Sequence, residues 1–427
     1  MGSINIESIV HSKLLSSVVP GRVTGQNVVQ ELSDMDLLMK LHYLKGYYFF
    51  KSSSVQGLTI FDLKKPMFTL LDHYFMVSGR IRKFGSGRPY IKCNDSGIRI
   101  VEAWCNMNLE KFLEMKDYSL HEHLVPNQVL GPELAFSPLV LIQFTWFTCG
   151  GISVGLSWAH VLGDAFSASN FMKMWGQIMA GSLQGLPKSQ AKPQYTKNKP
   201  STANELLSVK RIGHVGDYWI PAKDWNMETF TFQITPSQFN NLESKISSHV
   251  SPFEALVVMI WQCIAKIRVL ETRTVTICRR DSENKKDGIL SNRNQMLSVV
   301  KADFSVEDAD LTELAALIIN QSVDENTDIE ESMERDQGKS DFVVYGANLT
   351  FVDLADSELY ELELNGARPV FANYTVDGVG NGGVVLVLPG PKNTEEENHR
   401  GRTLTVILPE YKATSLRNEL ERRFNIV

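Results

Sequence analysis

Apolar residues recur along this chain with two different periods. From Leu139 to Trp158 they run almost continuously, broken by Gly150-Gly151, which predicts two buried strands joined by a tight turn. Phe166, Phe171, Trp175 and Ile178 then repeat at helical spacing, with Asp164 placed as the N-cap of the helix. Further upstream, Met35, Leu38, Met39, Leu41 and His42 predict a helix from Asp34 to about Phe50, with Ser33 as its cap, and Tyr90–Arg99 reads as a strand. The second half predicts strands at Thr229–Ile234, Thr274–Ile277, Phe342–Val344, Gly383–Leu388 and Leu404–Leu408, and helices at Pro252–Arg268 and Leu311–Val323. The acidic stretch Asp324–Asp336 reads as a solvated helix face or a loop.

Residues 181–208 are rich in Gly, Pro, Lys, Gln and Ser and poor in apolar side chains, so they predict an exposed crossover. They divide the chain into an N-terminal half (1–180) and a C-terminal half (209–427), and no internal repeat relates the two. Strands interleaved with helices predict an α/β fold of mixed sheets with helices on their faces.

Composition narrows the function classes. The chain has 427 residues, 43% hydrophobic and 22% charged, with a net charge of −6 and no block of basic residues, which argues against nucleic-acid binding. Five scattered cysteines (Cys93, Cys105, Cys149, Cys263, Cys278) lack metal-ligand spacing and suit a reducing compartment, mostly in the core. The first residues show no signal-peptide pattern, and Ile6 stands where myristoylation after Gly2 would want Ser or Thr. Apolar runs such as Leu256–Ile260 are too short to span a bilayer.

The candidate chemistry lies in Ser157-Trp-Ala-His-Val-Leu-Gly-Asp164, which sets His160 and Asp164 four apart at a strand-to-helix corner. Alone, this H-x-x-x-D pattern also describes a core histidine followed by a helix cap. Five ordered segments surround it: Leu32-Ser-Asp-Met-Asp36, His73-Tyr-Phe-Met-Val-Ser-Gly-Arg-Ile81, Cys93-Asn-Asp-Ser-Gly97 with Val101-Glu-Ala103, and Ser251-Pro-Phe-Glu-Ala-Leu leading to Trp261. With them the chain resembles the BAHD superfamily of acyl-CoA-dependent acyltransferases from near its N-terminus to about Pro409. Gly155-Leu-Ser-Trp-Ala-His160, Phe166-Ser-Ala-Ser169, Tyr345-Gly-Ala-Asn-Leu-Thr-Phe-Val352 and Asn373-Tyr-Thr375 resemble its eceriferum/glossy wax branch in particular.

The resemblance implies two chloramphenicol-acetyltransferase-like domains with a channel between them and acyl-CoA as donor or ligand, with no metal and no permanently bound cofactor. It implies His160 as general base, a role suited to an imidazole titrating near neutrality. Asp164 would turn away from substrate and anchor the corner through an arginine of Ile277-Cys-Arg-Arg280, with Arg280 preferred to Arg279. The branch further implies a part in very-long-chain fatty-acid elongation for cuticular wax, beside the elongase condensing enzyme. The protein would be a monomer on its own, cytosolic, and drawn to the endoplasmic reticulum through that partner. The alternative is an ordinary acyltransferase moving an acyl group to an alcohol or amine.

Three departures bear on this choice. Where the family has Asp-Phe-Gly-Trp-Gly, this chain has Glu363-Leu-Asn-Gly-Ala-Arg-Pro369. Ala165 replaces the glycine that follows the motif aspartate, and a methyl there is expected to crowd the corner. Asp281–Val300 is polar and largely unpatterned, which places the altered function on the acceptor side.

Overall fold

The computed structural model describes residues 9–126, 134–184, 205–216, 219, 226–246, 250–267, 273–281, 289–391 and 401–426. Two mixed sheets organise them. The first has six strands in the order Val10–Val18, Ile98–Cys105, Val140–Phe147, Ile152–Ala159, Tyr43–Phe50 and Phe371–Asp377. The second has seven, in the order Met227–Ile234, Arg402–Pro409, Val384–Pro389, Leu349–Asp353, Thr274–Arg280, Gln295–Lys301 and Val323–Asp324. Each combines parallel and antiparallel neighbours. Ile60–His73 and Ala165–Met179 cover the first sheet, while Pro252–Ala265, Leu311–Asn320 and Glu410–Phe424 pack into the core of the second.

The strand Phe371–Asp377 belongs to the C-terminal half in sequence, yet it pairs antiparallel with Tyr43–Phe50 in the N-terminal sheet. From there Asn373 reaches the second sheet: its Nδ2 donates to Thr231 Oγ1 at 3.1 Å, and its Oδ1 accepts from Thr405 Oγ1 at 2.6 Å. All three side chains are buried, so their hydrogen bonds fix how the sheets meet without leaving an unpaired polar group. Most of the predicted crossover, 185–204, lies outside the described residues. Its end is held by the buried Glu325, whose carboxylate accepts from the backbone N–H of Leu207 and Ser208 and from the Ser208 hydroxyl.

Several expected elements change. The helix predicted for Asp34–Phe50 stops at Leu38, and Tyr43–Phe50 is a strand. Because nearly every residue of that strand is buried, its period-two signal is erased, and its aromatic content favours the pleated form. Gly46 is needed there, since a Cβ would meet the Tyr374 ring at 2.6 Å. The single strand predicted at Tyr90–Arg99 is two, Pro89–Lys92 and Ile98–Cys105, broken at Gly97 with φ +78°. The helix from Leu311 ends at Asn320 rather than Val323. The polar region after Asp281 contains the strand Gln295–Lys301, and the acidic stretch forms a helix, Asn326–Arg335, that buries Ile329 and Met333. Ile60–His73 went unread because Pro66 lies inside it, although Thr59 and Asp62 form a capping box at its start. Among the described residues no helix is long and apolar enough to cross a membrane.

Arg80 explains part of the His73–Ile81 segment. Its guanidinium is buried and donates to the carbonyls of Gly79 (2.7 Å), Gly97 (3.0 Å) and Ser96 (3.2 Å). Burial, with Arg99 and Arg82 nearby, pushes its pKa down to about 10. Arg80→Ala would strand these carbonyls and is expected to cost about 2–4 kcal/mol in urea unfolding. Arg80→Lys should recover little of that, because an ammonium lacks the planar fork.

Candidate functional site

The strand Ile152–Ala159 is buried along its whole length and ends in a 3₁₀ turn, His160–Leu162. Gly163 follows at φ +149°, where a Cβ would meet Ser167 Oγ at 2.7 Å and the Ser291 backbone nitrogen at 2.8 Å. Trp158 Nε1 donates to the Gly163 carbonyl at 2.9 Å and ties the strand to the corner. Asp164 then caps the helix Ala165–Met179, its Oδ1 accepting from the Ser167 N–H at 2.8 Å. The expected crowding by Ala165 does not arise. That residue is the first of the helix and buried in the core, and the glycine the corner requires is Gly163.

Asp164 points away from His160 into the helix start. Burial pushes its carboxyl up, against the Ser167 N–H and the charge of Arg280. Among the described residues no direct ion pair joins Asp164 and Arg280. The Arg280 guanidinium lies over the Phe166 ring at 4.7 Å and acts on Asp164 through its field. Arg279 is engaged elsewhere, paired with Glu254 and stacked over Phe253 at 5.1 Å. The anchor of the corner is therefore the cap hydrogen bond, with Arg280 as supporting charge.

His160 is 0% exposed. Its Nε2 lies 2.9 Å from the Tyr345 hydroxyl, which also accepts from Gln295 Nε2 at 3.2 Å. The hydroxyl and Nε2 share one proton between them, and either atom has the capacity to donate it. Nδ1 is buried with no hydrogen-bond partner. Burial pushes the His160 pKa down to about 4, so the ring is neutral at pH 7 and a weak base.

The supporting shell joins distant segments. Asn292 Nδ2 donates to the His160 carbonyl at 2.8 Å and to Asp36 Oδ1 at 3.1 Å, and the Asn292 N–H donates to the same Asp36 oxygen at 2.9 Å. Asp36 Oδ2 meanwhile accepts from Ser33 in the capping box of the helix Asp34–Leu38. The His160 N–H donates to the His42 carbonyl at 3.1 Å. The His42 ring, with its pKa pushed down to about 3 by burial and then by neighbouring His160, accepts from the Val344 N–H at Nε2 and donates from Nδ1 to the Asp377 carbonyl.

Of these partners, Asp36 and Tyr345 stood in segments already notable in the sequence, whereas His42 stood out only as part of a helix face, and Asn292 and Gln295 only as part of the polar Asp281–Val300 stretch. Cys149 is exposed in the turn between strands, and the other four cysteines are buried. The degenerate second signature forms a two-residue turn: Leu364 and Ala367 exchange backbone hydrogen bonds around Asn365 (φ +50°) and Gly366 (φ +74°). Arg368 pairs with Glu361 and Glu363 beside it.

Comparison with known proteins gives this arrangement a setting. The profile of the Transferase family matches residues 10–423. Protein ECERIFERUM 2 of Arabidopsis thaliana is 42% identical over 97% of this chain and 98% of its own. Protein ECERIFERUM 26 of the same plant is 38% identical over 97% and 96%. Among solved structures, vinorine synthase superposes with a TM-score of 0.71 at 16% identity, covering 95% of this chain and 96% of that one. TRI101 of F. graminearum, complexed with coenzyme A and T-2 mycotoxin, gives 0.69 at 13%, covering 92% and 97%.

Proposed function

The chain belongs to the Transferase family, that of the BAHD acyltransferases, with its two-domain chloramphenicol-acetyltransferase-like fold, and on that premise we propose how this wax-related member works. It acts in very-long-chain fatty-acid elongation beside an elongase condensing enzyme, with acyl-CoA as its ligand and without His160 serving as a base. The similarity to ECERIFERUM 2 and ECERIFERUM 26 supports the wax assignment, and the coenzyme A in the TRI101 structure supports the ligand class. One observation carries the non-catalytic part: Nε2 of an enclosed His160 is already in a hydrogen bond with Tyr345. An enclosed nitrogen already engaged in this way is not open to an incoming alcohol or amine. Recruitment to the endoplasmic reticulum would then follow from the partner.

A second reading has its own support. Asp164 and Gly163 hold His160 at a strand-to-helix corner, and in this reading His160 is the general base, Asp164 and Arg280 are positioning residues, and an alcohol or amine is the acceptor. Co-expression in yeast with a plant very-long-chain condensing enzyme separates the two. The elongation reading expects fatty acids longer than the condensing enzyme makes alone. An unchanged profile, together with CoA release from acyl-CoA and an added alcohol by the purified protein, would favour the second.

A further inference from the structure

A hydroxyl 2.9 Å from an imidazole nitrogen has the geometry of an acceptor alcohol waiting to be deprotonated. Here the hydroxyl is part of the chain. We propose that Tyr345 is a built-in occupant of the acceptor position, a positioning residue that holds His160 as a hydrogen-bond acceptor and keeps it out of base chemistry. This deepens the elongation reading by naming what silences the histidine, and rests on it only in taking His160 as the residue that would otherwise act.

The surrounding structure places Tyr345 by its backbone. The Val344 N–H donates to His42 Nε2 at 3.1 Å, and the Tyr345 carbonyl accepts from the Gly380 N–H at 2.9 Å. Gly346 follows at φ +87°, with so little room that a Cβ would meet the Gly380 carbonyl oxygen at 2.4 Å. The ring is thereby wedged between two imidazoles, its centroid 4.9 Å from that of His42 and 5.5 Å from that of His160. Gln295 completes the arrangement. Its amide donates to Oη at 3.2 Å, and in the proposed arrangement the phenol proton goes to His160 Nε2. Tyr345 is itself buried, so an external acceptor would have to displace the whole ring and break both hydrogen bonds.

The test uses the full chain with ¹⁵N-labelled histidine, as wild type, Tyr345→Phe and Tyr345→Ala. In the wild type the nitrogen shifts should show His160 neutral, with its proton on Nδ1 and Nε2 hydrogen-bonded. In Tyr345→Phe, which keeps the ring, the Nε2 shift should move to that of an unbonded lone pair while His42 stays unchanged. A merely space-filling tyrosine would leave both shifts alone. Diethyl pyrocarbonate reads access to the same nitrogen. His160 should resist it in wild type and Tyr345→Phe, react in Tyr345→Ala, and be protected again when p-cresol refills the cavity. A wild-type His160 with its proton on Nε2, or one modified as fast as in Tyr345→Ala, overturns the proposal. If Tyr345→Ala does not fold, the Tyr345→Phe shifts decide. None of these readouts involves the condensing enzyme, so failure here and failure of the elongation reading are separate results.

Discussion

Asp341→Ala is expected to lower the unfolding free energy by about 3–5 kcal/mol, because it abandons a buried ammonium. Lys40 Nζ lies 2.9 Å from Asp341 Oδ1, and the two side chains are 3% and 2% exposed. Lys40 also donates to the carbonyls of Gly338, Lys339 and Ser340 and lies over the Trp219 ring at 5.7 Å, none of which carries a compensating full charge. Asp341 Oδ2 accepts from the Val215 N–H at 2.9 Å and meets His214 Nδ1 at 3.1 Å. The pair thus ties the segment after the first short helix to the chain emerging from the crossover. Burial alone would raise the Asp341 carboxyl. The Val215 N–H and Lys40 outweigh it and hold the group below the usual carboxylate range. If unpaired charge is the cause, Lys40→Met combined with Asp341→Leu should recover most of the loss in urea unfolding. Equal losses for single and double variants would mean that the Val215 and carbonyl contacts dominate instead.

Stability should also fall steeply between pH 6.5 and 4. His42, His121 and His160 are buried, and burial is the largest cause lowering each from 6.5, to about 3, about 4 and about 4 respectively. Well above pH 6.5 these rings are neutral whether the chain is folded or not, so they make no pH-dependent contribution there. Below it the unfolded chain takes up protons that the folded chain refuses. Near pH 5 about three protons separate the states, a slope of about 4 kcal/mol per pH unit in favour of unfolding. Urea unfolding at pH 7, 6 and 5 measures this directly. His121 lies in an aromatic cage, stacked on Phe112 at 5.4 Å, so His121→Phe should remove about one proton from the slope. Stability unchanged from pH 7 to 5 would mean that the folded protein charges these rings.

What was legible in the sequence follows from how local each signal is. The corner at His160 was readable because a buried strand, a glycine, a capping aspartate and an amphipathic helix fall within one short stretch. The strand Tyr43–Phe50 was misread as helix because burial on both faces leaves no alternation to detect. The strand Phe371–Asp377 was missed for another reason: its partners lie in the opposite half of the chain, where no local periodicity can point. The Asn365-Gly366 pair is a local hairpin signal and stands where the family's second signature is lost. His160 and Asp164 were legible as a corner, but the contacts that join His160 to the rest of the site were not. Tyr345 is 185 positions from His160 and Asn292 is 132, and hydrogen bonds over such separations leave no trace in spacing.

The most direct test of the central claim is the fatty-acid profile of yeast co-expressing the condensing enzyme with either the wild-type chain or His160→Ala, at matched protein levels. We predict the same shift to longer chains from both, since the imidazole is enclosed and its Nε2 is hydrogen-bonded to Tyr345. A shift seen with the wild type and abolished by His160→Ala, in a protein that still folds, would contradict this account and make His160 a working base.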